Sequence, residues 1–151
     1  MASVAFIDTA VNRDSLEPRP VERPFDSLVH RDVCGEAAAG SFSASRGHPV
    51  YAVKLPSAAI SASVGELDPG AQTSNHRHAY ESLVYVLEGE GWTILEGRRV
   101  DWRAGDAFYV PPWNWHRHFA GARGRVRYLT TTNLPLLHQL GQTVLREEAG
   151  D

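Results

Sequence analysis

Cysteine is almost missing from this 151-residue chain. Cys34 alone cannot close an intramolecular disulfide or build a multi-cysteine zinc site, and a single thiol suits a reducing compartment better than an oxidising one. Long apolar runs are missing too. The longest informative one covers residues 83–87, far short of the roughly 18 apolar residues that a membrane helix needs. Residues 1–7, apolar apart from Ser3, meet Asp8 without the basic flank of a secretory signal, which predicts a cytoplasmic protein with no membrane contact. No block of like charge occurs. The 15 Lys and Arg against 18 Asp and Glu leave a formal charge of −3, which argues against an electrostatic nucleic-acid surface. What is left is an ordinary globular domain, long enough to bury about two thirds of its unfolded surface without covalent staples.

The chain divides into unlike regions. Residues 1–48 crowd Pro18, Pro20 and Pro24 with charges, carry a small-residue stretch at 37–41, and show little strand or helix period. This predicts a partly irregular N-terminal arm that covers a barrel edge or reaches a neighbouring subunit. From residue 49 to 133 the pattern becomes short runs rich in Val, Ile, Tyr, Trp and Thr, punctuated by Gly and Pro. Candidate strands are 50–55, 60–67, 81–87, 92–95, 99–102, 107–110, 115–120 and 126–132. Many short strands with turn chemistry between them predict an antiparallel barrel or sandwich. Residues 134–151 predict a short helical turn, at 134–140, and a tail. Leu83, Tyr85 and Leu87 alternate outward on one strand, which predicts a second covered face and a homodimer.

Chemistry concentrates in the 7 histidines. His76 and His78 form one alternating pair, and His116 and His118 another; His30, His48 and His138 stand apart. Alternate strand residues share a face, so each pair points one way. Two such pairs facing one interior bring several imidazoles within reach of one ion. Neutral imidazole suits Zn, Fe, Ni, Cu and sometimes Mn, so residue type alone does not name the metal. A chance surface cluster, or core histidines satisfied by hydrogen bonds, is the competing explanation for any one of them.

Gly70, His76, His78 and Gly89 are spaced as in the first motif of the cupin superfamily: Gly, five residues, His-x-His, a Glu three or four residues on, and Gly. Gly105, Pro111 and His116 resemble the second, in which Gly and Pro precede a single His. The chain departs from that pattern at Ser82, which replaces the glutamate, at Trp113, which replaces a glycine, and at Ala120, which replaces an asparagine. Glu81 is adjacent to Ser82 but lies on the opposite strand face, so it reaches a metal only through a bulge. The resemblance implies an all-β jelly-roll barrel, a double-stranded β-helix, with one divalent ion held by His76, His78 and His116. Three neutral ligands leave the ion's charge in place and favour an anionic chelating ligand.

A three-histidine ferrous site is similar to the gentisate 1,2-dioxygenase group and its relatives acting on salicylate. The likeness extends to the run at 87–91, to Trp113 and Trp115 before His116, to His118, and to residues 133–137. Those enzymes place a carboxylate-binding arginine where this chain has Val84, and they usually carry two cupin domains. The resemblance implies Fe(II), with Zn, Ni or Mn as alternatives, a small hydroxylated aromatic acid or enolisable substrate, and O2. His118 is the candidate acid or base, against a plain buried imidazole. Gln72, Tyr80, Trp113 and Trp115 are candidate pocket residues, each with ordinary packing or surface exposure as the alternative. Two other functions stay open: a non-catalytic metal- or small-molecule-binding cupin acting as sensor or accessory protein, and a metal-dependent isomerase or lyase.

Overall fold

A computed structural model describes residues 22–35 and 40–149. In chain order they form a 3-10 turn (Phe25–Leu28), α1 (Gly40–Arg46), β1 (Val50–Ala52), β2 (Ser61–Leu67), β3 (His76–His78), β4 (Ser82–Glu88), β5 (Glu90–Leu95), β6 (Arg98–Arg103), β7 (Ala107–Val110), β8 (His116–Ala120), β9 (Val126–Thr132), α2 (Leu134–Gln139) and β10 (Arg146–Glu148). The strands make two five-stranded antiparallel sheets, ordered β1-β2-β9-β4-β7 and β10-β3-β8-β5-β6. The expected all-β double-sheet barrel is the fold.

Alternation decides what faces inward. In the first sheet, register stacks inward side chains in rows: Ser61, Thr132 and Ser82; then Ser63, Thr130 and Val84; then Gly65, Tyr128 and Val86; then Leu67 and Val126. In the second, His118 stands opposite Thr93, and Ala120 opposite Gly91, which in turn faces Trp102. One end of the interior is therefore apolar, a cluster of Leu67, Val84, Val86, Trp102, Val110, Ala120, Val126 and Tyr128. Gly65 makes room for this packing. A methyl there would stand 2.5 Å from Cζ of Tyr128, so the tyrosine ring occupies the space that a side chain would fill.

Two strands lie outside the predicted set: β3 and β10 have only three residues each, too few to show a period, and they pair with each other from about 70 positions apart. Within the partly irregular arm, residues 40–46 form α1. Residues 1–21 and 36–39, which hold most of the arm's prolines and small residues, lie outside the described residues. Leu83, Tyr85 and Leu87 were expected to be covered, but within one chain they are 59%, 46% and 47% exposed. No helix among the described residues is long and apolar enough to cross a membrane.

Candidate metal centre

His76 and His78 sit on β3, and His116 opposes His76 directly across the β3–β8 pair. Opposed residues of an antiparallel pair share a face, so register alone brings the three rings together. Each is buried, at 7%, 3% and 2% exposure, and one nitrogen from each lies within 4.8 Å of the other two. Two nitrogens at about 2.1 Å from one ion stand at most about 4.2 Å apart, so small side-chain rotations suffice to place all three on one centre.

The ring tautomers fit that role. His76 Nδ1 faces the Ser74 carbonyl at 3.0 Å, His78 Nδ1 faces the Tyr80 carbonyl at 2.6 Å, and His116 Nδ1 faces the Asn114 carbonyl at 2.8 Å. A carbonyl only accepts, so each Nδ1 must carry the hydrogen, which leaves each Nε2 lone pair for a ligand. The backbone thus does for three rings what a partner carbonyl does for metal-binding histidines in general. Burial, with the neighbouring imidazoles and Arg146 adding to it, lowers the proton affinity of His76; burial and His116 push His78 down to about 4; burial lowers His116. The neutral, ligating form is therefore favoured in all three rings.

Among the described residues no carboxylate joins the group. Ser82 is buried on the cavity wall. Glu81 is exposed, accepting hydrogen bonds from Tyr109 Oη at 2.8 Å and from Asn133 Nδ2 at 3.1 Å. It points out of the barrel, as alternation predicted.

The triad opens onto a cavity of about 220 Å³ bounded by Ser61, Ser63, Thr130, Thr132 and Ser82 on the first sheet and by the imidazoles on the second. That is smaller than the roughly 300 Å³ at which drug-sized pockets begin, and it suits a single small molecule. Tyr80 lines it and stacks on His78 at 3.9 Å. His118 lines it as well, one strand step below His116. Three of the proposed pocket residues do not. Gln72 is exposed and bridges Phe119 on the outside, while its neighbour Thr73 faces in. Trp113 and Trp115 lie outside, where Arg77 packs over their rings at 4.4 and 4.7 Å. Parity was the available signal, because an inward His116 turns Trp115 outward.

Trp113 also explains how the chain tolerates losing the motif's glycine. Its φ of 63° is left-handed, a conformation that costs a bulky residue about 1 kcal/mol or more. Its N–H donates to the His78 carbonyl at 2.7 Å, and its ring takes the guanidinium of Arg77, so the strained turn that leads to His116 is held from both sides.

Sequence reasoning missed Thr93, Arg46 and Arg146. Thr93 Oγ1 accepts from Trp102 Nε1 at 2.9 Å and contacts His118 Nδ1 at 2.8 Å. Its only signal was inward parity opposite His118. Arg46, from the last turn of α1, and Arg146, from β10, both line the cavity. Neither belongs to a motif.

Motif spacing, fold and triad agree on one class. Residues 63–132 match the model of the cupin domain, and the two-sheet structure around them is a cupin barrel. Among curated proteins, the chain is 34% identical over 83 residues to a 5-aminosalicylate 1,2-dioxygenase from Comamonas, a match covering 55% of this chain and 21% of that protein. It is 33% identical over 75 residues to a gentisate 1,2-dioxygenase from Streptomyces, covering 49% of this chain and 21% of that one. The chain thus spans about a fifth of the length of these relatives. Among solved structures, a salicylate 1,2-dioxygenase from Pseudaminobacter salicylatoxidans superposes with a TM-score of 0.64 at 23% identity, covering 70% of this chain and 33% of that one, which is a likeness of fold.

Proposed function

We propose that the chain is a metal-dependent cupin of the dioxygenase type, using Fe(II) at His76, His78 and His116 to open a small hydroxylated aromatic acid, or a related enolisable substrate, with O2. The observation that carries this reading is the triad itself: three imidazoles with Nδ1 tied to backbone carbonyls and no carboxylate among them. The curated relatives named as 5-aminosalicylate and gentisate dioxygenases support it. A bound iron would supply the Lewis acidity and one-electron chemistry that ring opening by O2 requires.

The chain's own residues supply the rest. Neutral ligands leave a divalent ion uncompensated, so the cavity selects an anionic oxygen donor. Hydroxyls of Ser61, Ser82, Thr130 and Thr132 offer adaptable hydrogen bonds around it. His118 is the polar group below the triad. Trp102 can only donate, so Thr93 Oγ1 accepts there and keeps its own proton to offer to His118 Nδ1. With the hydroxyl donating to Nδ1, the ring hydrogen sits on Nε2, and burial first, then the neighbouring His116, favour the neutral ring. His118 therefore acts as a hydrogen-bond donor from Nε2 toward a substrate oxygen and can release that proton as charge develops.

Anaerobic loading with Fe(II), followed by oxygen uptake with gentisate, salicylate, 5-aminosalicylate and a set of diketones, tests the reading. Uptake with incorporation of both oxygen atoms into product is expected for at least one; no uptake with any would overturn it. A binding role without turnover is favoured by one observation, that Val84 stands where the dioxygenase group places its substrate-binding arginine. Ligand stabilisation without oxygen uptake would support that role. A homodimer is also proposed, with the exposed row of Leu83, Tyr85, Leu87 and Tyr109 as its contact face; light scattering giving a monomer mass would remove it.

A further inference from the structure

Among the described residues, two charged side chains line the cavity wall, and both are arginines. Arg46 reaches in from α1 and Arg146 from β10. Both lie outside residues 63–132, the stretch that matches the cupin domain. Register explains the placement of Arg146: it stands directly opposite His78 in the β10–β3 pair, so both side chains share the inward face. Arg46 lies 4.8 Å over the ring of Phe42, another cavity residue.

Compensation is incomplete. Arg146 pairs with one oxygen of Glu148, through Nε at 2.8 Å and Nη2 at 2.7 Å, and Glu148 is 42% exposed. Arg46 shares the cavity wall with Tyr80. Two guanidiniums thus stand on the wall of a site whose other ionisable groups are imidazoles and tyrosine hydroxyls, and the ion pair with Glu148 belongs to one of them, Arg146. They sense each other: burial, and next the charge of Arg146, lower the proton affinity of Arg46. Like charges held together at a half-buried wall are relieved when an anion lies between them, and a planar guanidinium fork matches a carboxylate.

Given the metal site proposed above, we infer that Arg46 and Arg146 form the carboxylate-binding wall of the cavity, so that the ligand is a small organic acid whose carboxylate faces the arginines while a neighbouring oxygen faces the triad. Val84 is 2% exposed on the opposite sheet, and an arginine is not available there. The flanking segments would then set substrate charge, and the barrel would set metal chemistry.

Zinc-loaded protein separates binding from turnover, because zinc is redox-silent. Calorimetric titration with salicylate and with salicylamide, which lacks the carboxylate charge, reads the wall directly. Wild type is expected to prefer salicylate by about tenfold or more, and Arg46→Gln and Arg146→Gln each to lose most of that preference while zinc content and salicylamide binding stay unchanged. Arg146→Lys, which keeps the charge without the fork, should retain part of it and stands in should Arg146→Gln fail to fold. Equal binding of the two ligands by wild type, or an undiminished preference in the glutamine variants, would overturn the assignment. Failure of the metal reading looks different: zinc would not bind stoichiometrically, whatever the salicylate preference.

Discussion

The same strands build both ends of the barrel interior, yet the two ends are chemically opposite. Along β8 the inward residues run His116, His118, Ala120; along β2 they run Ser61, Ser63, Gly65, Leu67; along β9, read backward, Thr132, Thr130, Tyr128, Val126. Each of these strands thus begins on imidazole or hydroxyl and ends on hydrocarbon. The apolar end is filled by contacts between side chains. At the polar end the backbone satisfies one side of each ligand ring and leaves the other facing the cavity. One end supplies stability, and the other keeps unsatisfied groups ready for a ligand, a local cost that the packed end offsets.

That division can be broken from the apolar side first. Leu67 is 1% exposed at the closed end, and Leu67→Ala is expected to cost about 2–5 kcal/mol in urea unfolding while metal affinity under native conditions is retained. Loss of metal binding in the folded variant would mean that the ends are not separable. Acid strikes the polar end. Unfolded, the histidines take up protons near 6.5, whereas folded His78 does so only near 4, and His76, His116 and His118 are lowered too. The unfolded chain binds more protons in that window, so metal-free stability falls as pH drops from about 6.5 toward 4, by about 2 kcal/mol at pH 5 from His78 alone. A flat melting temperature between pH 7 and 5 would contradict the buried, neutral triad.

Thr93 sits on the boundary. Thr93→Val leaves Trp102 Nε1 and His118 Nδ1 without their shared partner, with an expected loss of about 1–2 kcal/mol. It should also free the His118 tautomer, seen as a change in the imidazole nitrogen NMR shifts with metal content unchanged. The smallest effect belongs outside: Gln72→Ala is expected to change neither stability, beyond about 0.5 kcal/mol, nor ligand binding. A clear binding defect would move the cavity wall outward.

What the sequence made legible follows from distance along the chain. His76, His78 and His116 stand out because their spacing is local, and β7 and β9 show full strand periods. Trp113 and Trp115 looked like pocket walls because aromatic character is visible in a sequence, whereas the direction of a side chain depends on knowing which neighbour faces in. Arg46 and Arg146 carried no signal. Their position depends on α1 lying beside β1 and on a three-residue pairing of β10 with β3, contacts between segments that no local pattern announces. The acid–metal contrast of the cavity is thus partly motif and partly topology.

In the proposed site His76, His78 and His116 hold one divalent ion. Metal content per chain, measured after loading and desalting of wild type and His76→Ala at neutral pH, is the decisive measurement. About one ion per wild-type chain and at least about tenfold less in the variant is predicted. Equal occupancy in the two proteins would contradict it.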